Sequence, residues 1–158
     1  MSSYMDNKWS WIDGSHQLRD ALLDSLTDSD LAFNPGGKAM SLGALCREMG
    51  DVQHAYLQSV KTGKTDFSYR HTTAGIEGSI SQLKAWFRQM DDDMKATLSA
   101  LSDADFQKMI DRASGYQMPL ELQLDVYLQA LLIFFGKATV YMKIMEKTIP
   151  PMIVEYIG

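Results

Sequence analysis

The sequence predicts an all-α fold, an up-and-down four-helix bundle with a long linker between the second and third helices. Four segments carry apolar residues at steps of three and four. Residues that start and stop helices stand at their ends. No stretch alternates apolar with polar residues for long enough to specify a strand.

The first helix is expected from about Trp9 to Leu26, with Trp11, Leu18, Leu22 and Leu26 inward. Thr27-Asp28-Ser29-Asp30 and then Asn34-Pro35-Gly36-Gly37 supply turn chemistry. Ser41 is a good N-cap and opens the second helix, which sets Leu42, Leu45, Met49, Val52, Tyr56 and Val60 on one face before Gly63 stops it. In the third, Ile76, Ile80, Leu83, Phe87, Met90, Met94, Leu98 and Leu101 form the stripe of a long bundle helix, with Lys84, Arg88, Asp91 and Lys95 outside. The fourth begins with Pro119, preorganised for a first turn. It runs to about Lys147, before Ile149-Pro150-Pro151 forbids extension. Around Leu131 to Phe135 it is apolar on nearly every side, so it is central or meets another subunit.

A duplicated plan is also legible. Leu26-Thr27-Asp28-Ser29-Asp30-Leu31 resembles Leu101-Ser102-Asp103-Ala104-Asp105-Phe106, and Gly37 to Leu42 resembles Gly115 to Leu120. Either an internal repeat pairs two helical hairpins, or two linkers that must stop and restart a helix have arrived at similar residues.

Composition bounds the function. The 158 residues suit one domain, taken as 1–158. With 46% hydrophobic and 22% charged residues the chain has the means to build a core. A formal net charge of −5 leaves no cationic excess for phosphate neutralisation, so no nucleic-acid partner is expected. Residues Met1 to Asp13 do not read as a signal peptide. The longest apolar run, Ala130 to Phe135, is far shorter than the roughly 18 residues of a membrane span, so no membrane partner is expected. A single cysteine, Cys46, fits a reducing compartment. Cytoplasm is the expected location.

Two motifs carry a family resemblance. Asn34-Pro35 through Ser41-Leu42-Gly43-Ala44-Leu45-Cys46-Arg47-Glu48-Met49-Gly50-Asp51-Val52 resembles the second helix of DinB/YfiT-like proteins: a turn, a Ser-x-Gly-x-Leu opening, a polar metal-facing position, then Asp-Val. Gly136-Lys137, Tyr141-Met142-Lys143 and Pro150-Pro151 are similar to the pattern closing that family's fourth helix. The resemblance implies a four-helix bundle with a divalent metal, held by one histidine on the second helix and a His-x-x-x-His pair on the fourth. Residues four apart share a helix face, so two imidazoles reach one ion. Some relatives use the metal to activate the sulfur of a low-molecular-weight thiol, and others have no assigned activity.

Carried over to this chain, the ligand positions fall on Glu48, Ala130 and Phe134. Ala and Phe offer no donor atoms, and one carboxylate is too few for Zn²⁺, which takes about four ligands. No resident metal or cofactor is therefore expected. Glu48 facing inward would meet Tyr127, Ala130 and Phe134, and these four residues are the candidate ligand pocket. A charge there must be neutralised, paired, hydrated or bound to something; at the bundle edge it would reach water.

Other polar residues have plainer readings. His16, His54 and His71 show no ligand spacing and are expected at solvent or an interface. Cys46 has no base among its helix-face neighbours Leu42 and Gly50 and reads as a small core residue. Asp91, Asp92 and Asp93 fan out by about 100° per residue and read as a solvated face. Met49, Met90 and Met94 read as core.

Two functions follow, beside a purely structural interaction module that a bundle centre filled with side chains would favour. One is a metal-free, dimeric protein that binds a small apolar or amphipathic molecule or a partner. The other is a metal-dependent thiol S-transferase or hydrolase with a remodelled site around Glu48. The homodimer is expected because Leu132, Ile133 and Gly136 interrupt the polar stripe of the fourth helix. The apolar tail Met152, Ile153, Val154 and Ile157 either joins that interface or folds back on its own chain.

Overall fold

The computed structural model describes residues 2–112 and 115–158. Four long helices form the bundle: α2 (Trp9–Asp24), α3 (Leu42–Thr62), α4 (Ile80–Ser99) and α6 (Leu120–Ile144). Short helices α1 (Ser3–Asn7), α5 (Asp103–Phe106) and α7 (Pro151–Ile157) close its ends. Between them the layers bury Leu22, Leu42, Leu83, Phe87, Leu131 and Phe135 completely. The helices sit where the apolar spacing places them, and their caps explain the bounds. Ser41 Oγ accepts the Ala44 amide at 3.1 Å, and Gly63 closes α3 in the left-handed conformation, φ 75°.

The glycine of the Ser-x-Gly-x-Leu opening has a steric cause. A Cβ on Gly43 would lie 1.8 Å from the backbone carbonyl oxygen of Glu77, in the 3₁₀ turn Ile76–Gly78 that precedes α4. Only a residue without a side chain lets that turn lie on the start of α3.

The two linkers share one device. Thr27 and Asp30 form a capping box at the 3₁₀ turn Asp28–Ala32, and Ser102 and Asp105 form one at α5. The similar segments thus fold alike.

Several expectations need correction. A small three-stranded sheet joins the linkers: β1 (Lys64–Thr65) pairs parallel with β2 (Met109–Arg112), which pairs antiparallel with β3 (Gln117–Pro119). Strands of two to four residues are too short to show alternation. Pro119 ends β3 and caps α6 rather than lying in its first turn. Ile76 sits in the 3₁₀ turn, so α4 starts later than its apolar stripe.

Trp11 faces outward, 54% exposed, because Trp9 and Ile12 take the inward positions. Its ring packs edge-on against Tyr156 of α7 at 6.3 Å. The tail folds back on its own chain: Ile153 is buried, while Met152, Val154 and Ile157 stay exposed.

The longest apolar run understates α6. Over its 25 residues this helix is long and apolar enough, by length and composition, to cross a membrane, and 39% of its most apolar window is buried inside the bundle. Leu124, Leu131, Phe135 and Met142 face the core, and Leu122, Leu132, Ile133, Val140 and Ile144 remain exposed.

Candidate functional site

Facing stretches of α3 and α6 border a half-open cavity of about 170 Å³, lined by Leu45, Glu48, Met49 and Val52 on one side and Ala130, Ile133, Phe134 and Lys137 on the other. Each set repeats the i, i+3, i+4, i+7 spacing of one helix face, so the two helices present matched walls. The half-buried Glu48 side chain has no hydrogen bond or ion pair among the described residues. Its neighbour Arg47 is committed elsewhere, donating to Asp51 Oδ2 at 2.5 Å and to Glu77. The Glu77 hydrogen bond is the main reason the Arg47 guanidinium is held above its ordinary range, with the charges of Asp51 and Glu48 adding to it. A wider cleft of about 460 Å³ shares Glu48 and Val52 and adds Met40, Arg47, Asp51, Phe67 and Arg70. Glu48 therefore stands on the partition between an apolar chamber and a polar cleft.

Three of the four candidate residues meet here: Glu48, Ala130 and Phe134. Tyr127 does not. It lies one turn from Ala130 but points into the bundle, fully buried, and its hydroxyl sits 2.7 Å from His16 Nε2.

Tyr127 is one end of a polar cross-tie through all four long helices. His16 and Arg19 come from α2, Gln53 from α3, Asp91 from α4 and Tyr127 from α6. Asp91 Oδ1 lies 3.1 Å from His16 Nδ1 and accepts from Gln53 Nε2 at 2.7 Å. Arg19 donates to Asp91 Oδ2 at 2.5 Å and to Gln53 Oε1 at 2.8 Å, with its guanidinium 4.0 Å from the Phe87 ring centroid. Within this network only Arg19 Nε is buried without a partner among the described residues.

Burial, with Arg19 second, holds the His16 imidazole well below its ordinary range, despite the nearby Asp91 carboxylate. The guanidinium already neutralises Asp91, so desolvation wins. Burial likewise raises the Tyr127 phenol. Both are thus neutral, with Asp91 accepting from His16 Nδ1–H and the tyrosine hydroxyl donating to Nε2. His16 is not at solvent, and Asp91 is not on a solvated face: side-chain exposures are 5% and 20%. No sequence signal marks either residue as inward, because the network assembles from residues 16 to 127 through the fold alone.

The other histidines pin the linker. His54 stacks on Tyr69 at 3.7 Å, the Tyr69 hydroxyl lies 3.2 Å from His71 Nδ1, and His71 stacks on Trp86 at 4.0 Å. The Asp of the Asp-Val motif has its reason here, since Asp51 Oδ1 accepts the His71 amide at 2.8 Å. Cys46 is a fully buried core residue, and burial pushes its thiol up to about 12, away from the thiolate a nucleophile needs.

The positions onto which the resemblance carries metal ligands do converge on one cavity. Their chemistry does not fit the ion: one carboxylate faces a methyl group and a phenyl ring, and among the described residues no group of three His, Cys, Asp or Glu is placed to hold a metal.

Comparison with known proteins agrees with this architecture. A crystal structure of a DinB-like protein from Bacillus cereus ATCC 10987 matches with a TM-score of 0.70 at 20% identity, over 90% of this chain and 91% of that one. A DinB-like protein from Bacillus subtilis matches with a TM-score of 0.69 at 17% identity, over 87% and 90%. At these identities the likeness establishes the fold. No curated protein is significantly similar to the chain. The family model of the DinB superfamily matches residues 12–129, most of the chain and three of its four long helices with the start of the fourth, and the chain therefore belongs to the DinB superfamily.

Proposed function

We propose that this protein is a DinB-superfamily member without the histidine metal centre, acting as a cytoplasmic homodimer that binds a small amphipathic molecule between α3 and α6. The unpaired Glu48 carboxylate in an otherwise mostly apolar cavity carries this reading. With no hydrogen bond or ion pair to it among the described residues, this half-buried carboxylate is free to meet a positively charged or hydrogen-bonding ligand group.

Ligand-detected NMR with a panel of small aromatic and aliphatic fragments tests the proposal. Binders are expected for the wild type and should disappear in Ala130→Phe, which fills the chamber while circular dichroism confirms the fold. A panel with no binder sensitive to that substitution sinks the proposal. The competing reading, a metal-dependent thiol transferase or hydrolase remodelled around Glu48, requires stoichiometric metal. Protein purified without chelator is expected to hold well under one equivalent of Zn²⁺ or Ni²⁺, and chelation should leave its melting temperature unchanged.

The dimer rests on the outer face of α6, where Leu122, Ile133, Val140 and Ile144 are exposed. Gly136 lies among them, and a Cβ there would meet nothing within 4 Å. Glycine inside a helix costs up to about 1 kcal/mol relative to alanine, and no contact within the chain requires it. Close approach by the same helix of a second copy supplies the reason. Light scattering should give twice the chain mass, falling to the chain mass in Ile133→Asp; a wild-type monomer at all concentrations ends this part of the proposal.

A further inference from the structure

Charged groups from both helices border the same chamber. Glu48 comes from α3 and Lys137 from α6. Neither has an ion-pair partner among the described residues, and they do not pair with each other. Lys137 is exposed and Glu48 half-buried, so both keep access to water beside the apolar Leu45, Met49, Val52, Ala130 and Phe134 that share the lining.

Resting on the proposed pocket, we infer that its ligand is a small zwitterion with an apolar body, of the α-amino-acid class, whose ammonium meets Glu48 and whose carboxylate meets Lys137. A lone cation would be repelled by Lys137 and a lone anion by Glu48; a molecule carrying both satisfies the two rim charges at once. Size agrees, since cavities of about 150 Å³ hold benzene-sized bodies and this chamber is about 170 Å³. The side chain enters the chamber and the charged end remains at the rim, where water completes its hydration.

Four probes that share a ring test the inference by ligand-detected NMR titration: L-phenylalanine, 2-phenylethylamine, 3-phenylpropionate and toluene. Phenylalanine should bind at least about tenfold more tightly than either singly charged analogue, the scale of one charge-assisted hydrogen bond. Glu48→Gln should weaken phenylalanine and phenylethylamine and leave phenylpropionate unchanged or improved. Lys137→Gln should do the reverse. Toluene binding that is lost in Ala130→Phe, with the amine and carboxylate adding nothing, overturns the zwitterion and leaves the pocket standing. Failure of all four probes to bind overturns both.

Discussion

Two polar constellations lie close together in this bundle and are built on opposite terms. In the cross-tie of His16, Arg19, Gln53, Asp91 and Tyr127, nearly every donor meets an acceptor, and four helices contribute. Across the chamber Glu48 has no hydrogen bond or ion pair among the described residues. Buried polar groups in a largely satisfied network hold a fold in one arrangement, whereas a half-buried carboxylate without a protein partner keeps its acceptors free for water or a ligand. Tyr127 and Ala130, one helical turn apart on α6, belong to different sides of that division.

The largest expected effect comes from opening the cross-tie. Asp91→Ala takes from Arg19, whose side chain has no exposure, the nearer of its two carboxylates and leaves only the 3.4 Å contact to Asp20. Leaving a buried charge unpaired costs about 3 kcal/mol or more, measured as a shift of the urea midpoint at constant slope. A loss below about 1 kcal/mol would mean that water replaces Asp91, and the two regions would differ less than their geometry suggests. Tyr127→Phe removes only the hydroxyl that donates to His16 Nε2, and about 1 to 2 kcal/mol is expected.

The same histidine gives the cross-tie a pH signature. Its folded-state pKa lies below the ordinary value of 6.5, so the unfolded chain binds the extra proton first as pH falls. The stability this contributes is present above about pH 6.5 and declines as pH drops toward the folded-state value. Denaturation at pH 7.5 and 5.5 should show the loss, and His16→Gln should remove most of it while lowering stability at both. An unchanged slope in that variant would assign the effect to other groups.

The cross-tie is not legible in the sequence, whereas the meeting of Glu48, Ala130 and Phe134 on one cavity is. Helix faces are local, so spacing alone sets Glu48 against Ala130 and Phe134 once the order of helices is known. Tyr127 has the right spacing for that face but the opposite preference, because its hydroxyl finds His16. Asp91 sits on the outer stripe of α4 by periodicity and is drawn inward by Arg19. Trp11 fails for the converse reason, since α7 offers it a partner on the outside. Long-range pairing, not propensity, decides each of these positions. The small sheet escaped for want of length.

The smallest expected effect is the sharpest test of the comparison. Glu48→Gln keeps the shape of the side chain and removes its charge. If no protein group pairs with the carboxylate, the fold loses no interaction, and the amide is easier to desolvate in the chamber than an ionised acid. The change at pH 7 should then lie within about 0.5 kcal/mol of zero, or on the stabilising side, as expected of a substitution outside any structural network. Asp91→Asn, the matched change in the cross-tie, should destabilise strongly because it leaves the buried Arg19 guanidinium only the longer 3.4 Å contact to Asp20. Measured together by urea denaturation, the pair separates a carboxylate held for structure from one held for a ligand. A Glu48→Gln loss near that of Asp91→Asn would mean that the Glu48 charge is compensated within the protein, and the reason for reading its chamber as a binding site would be gone.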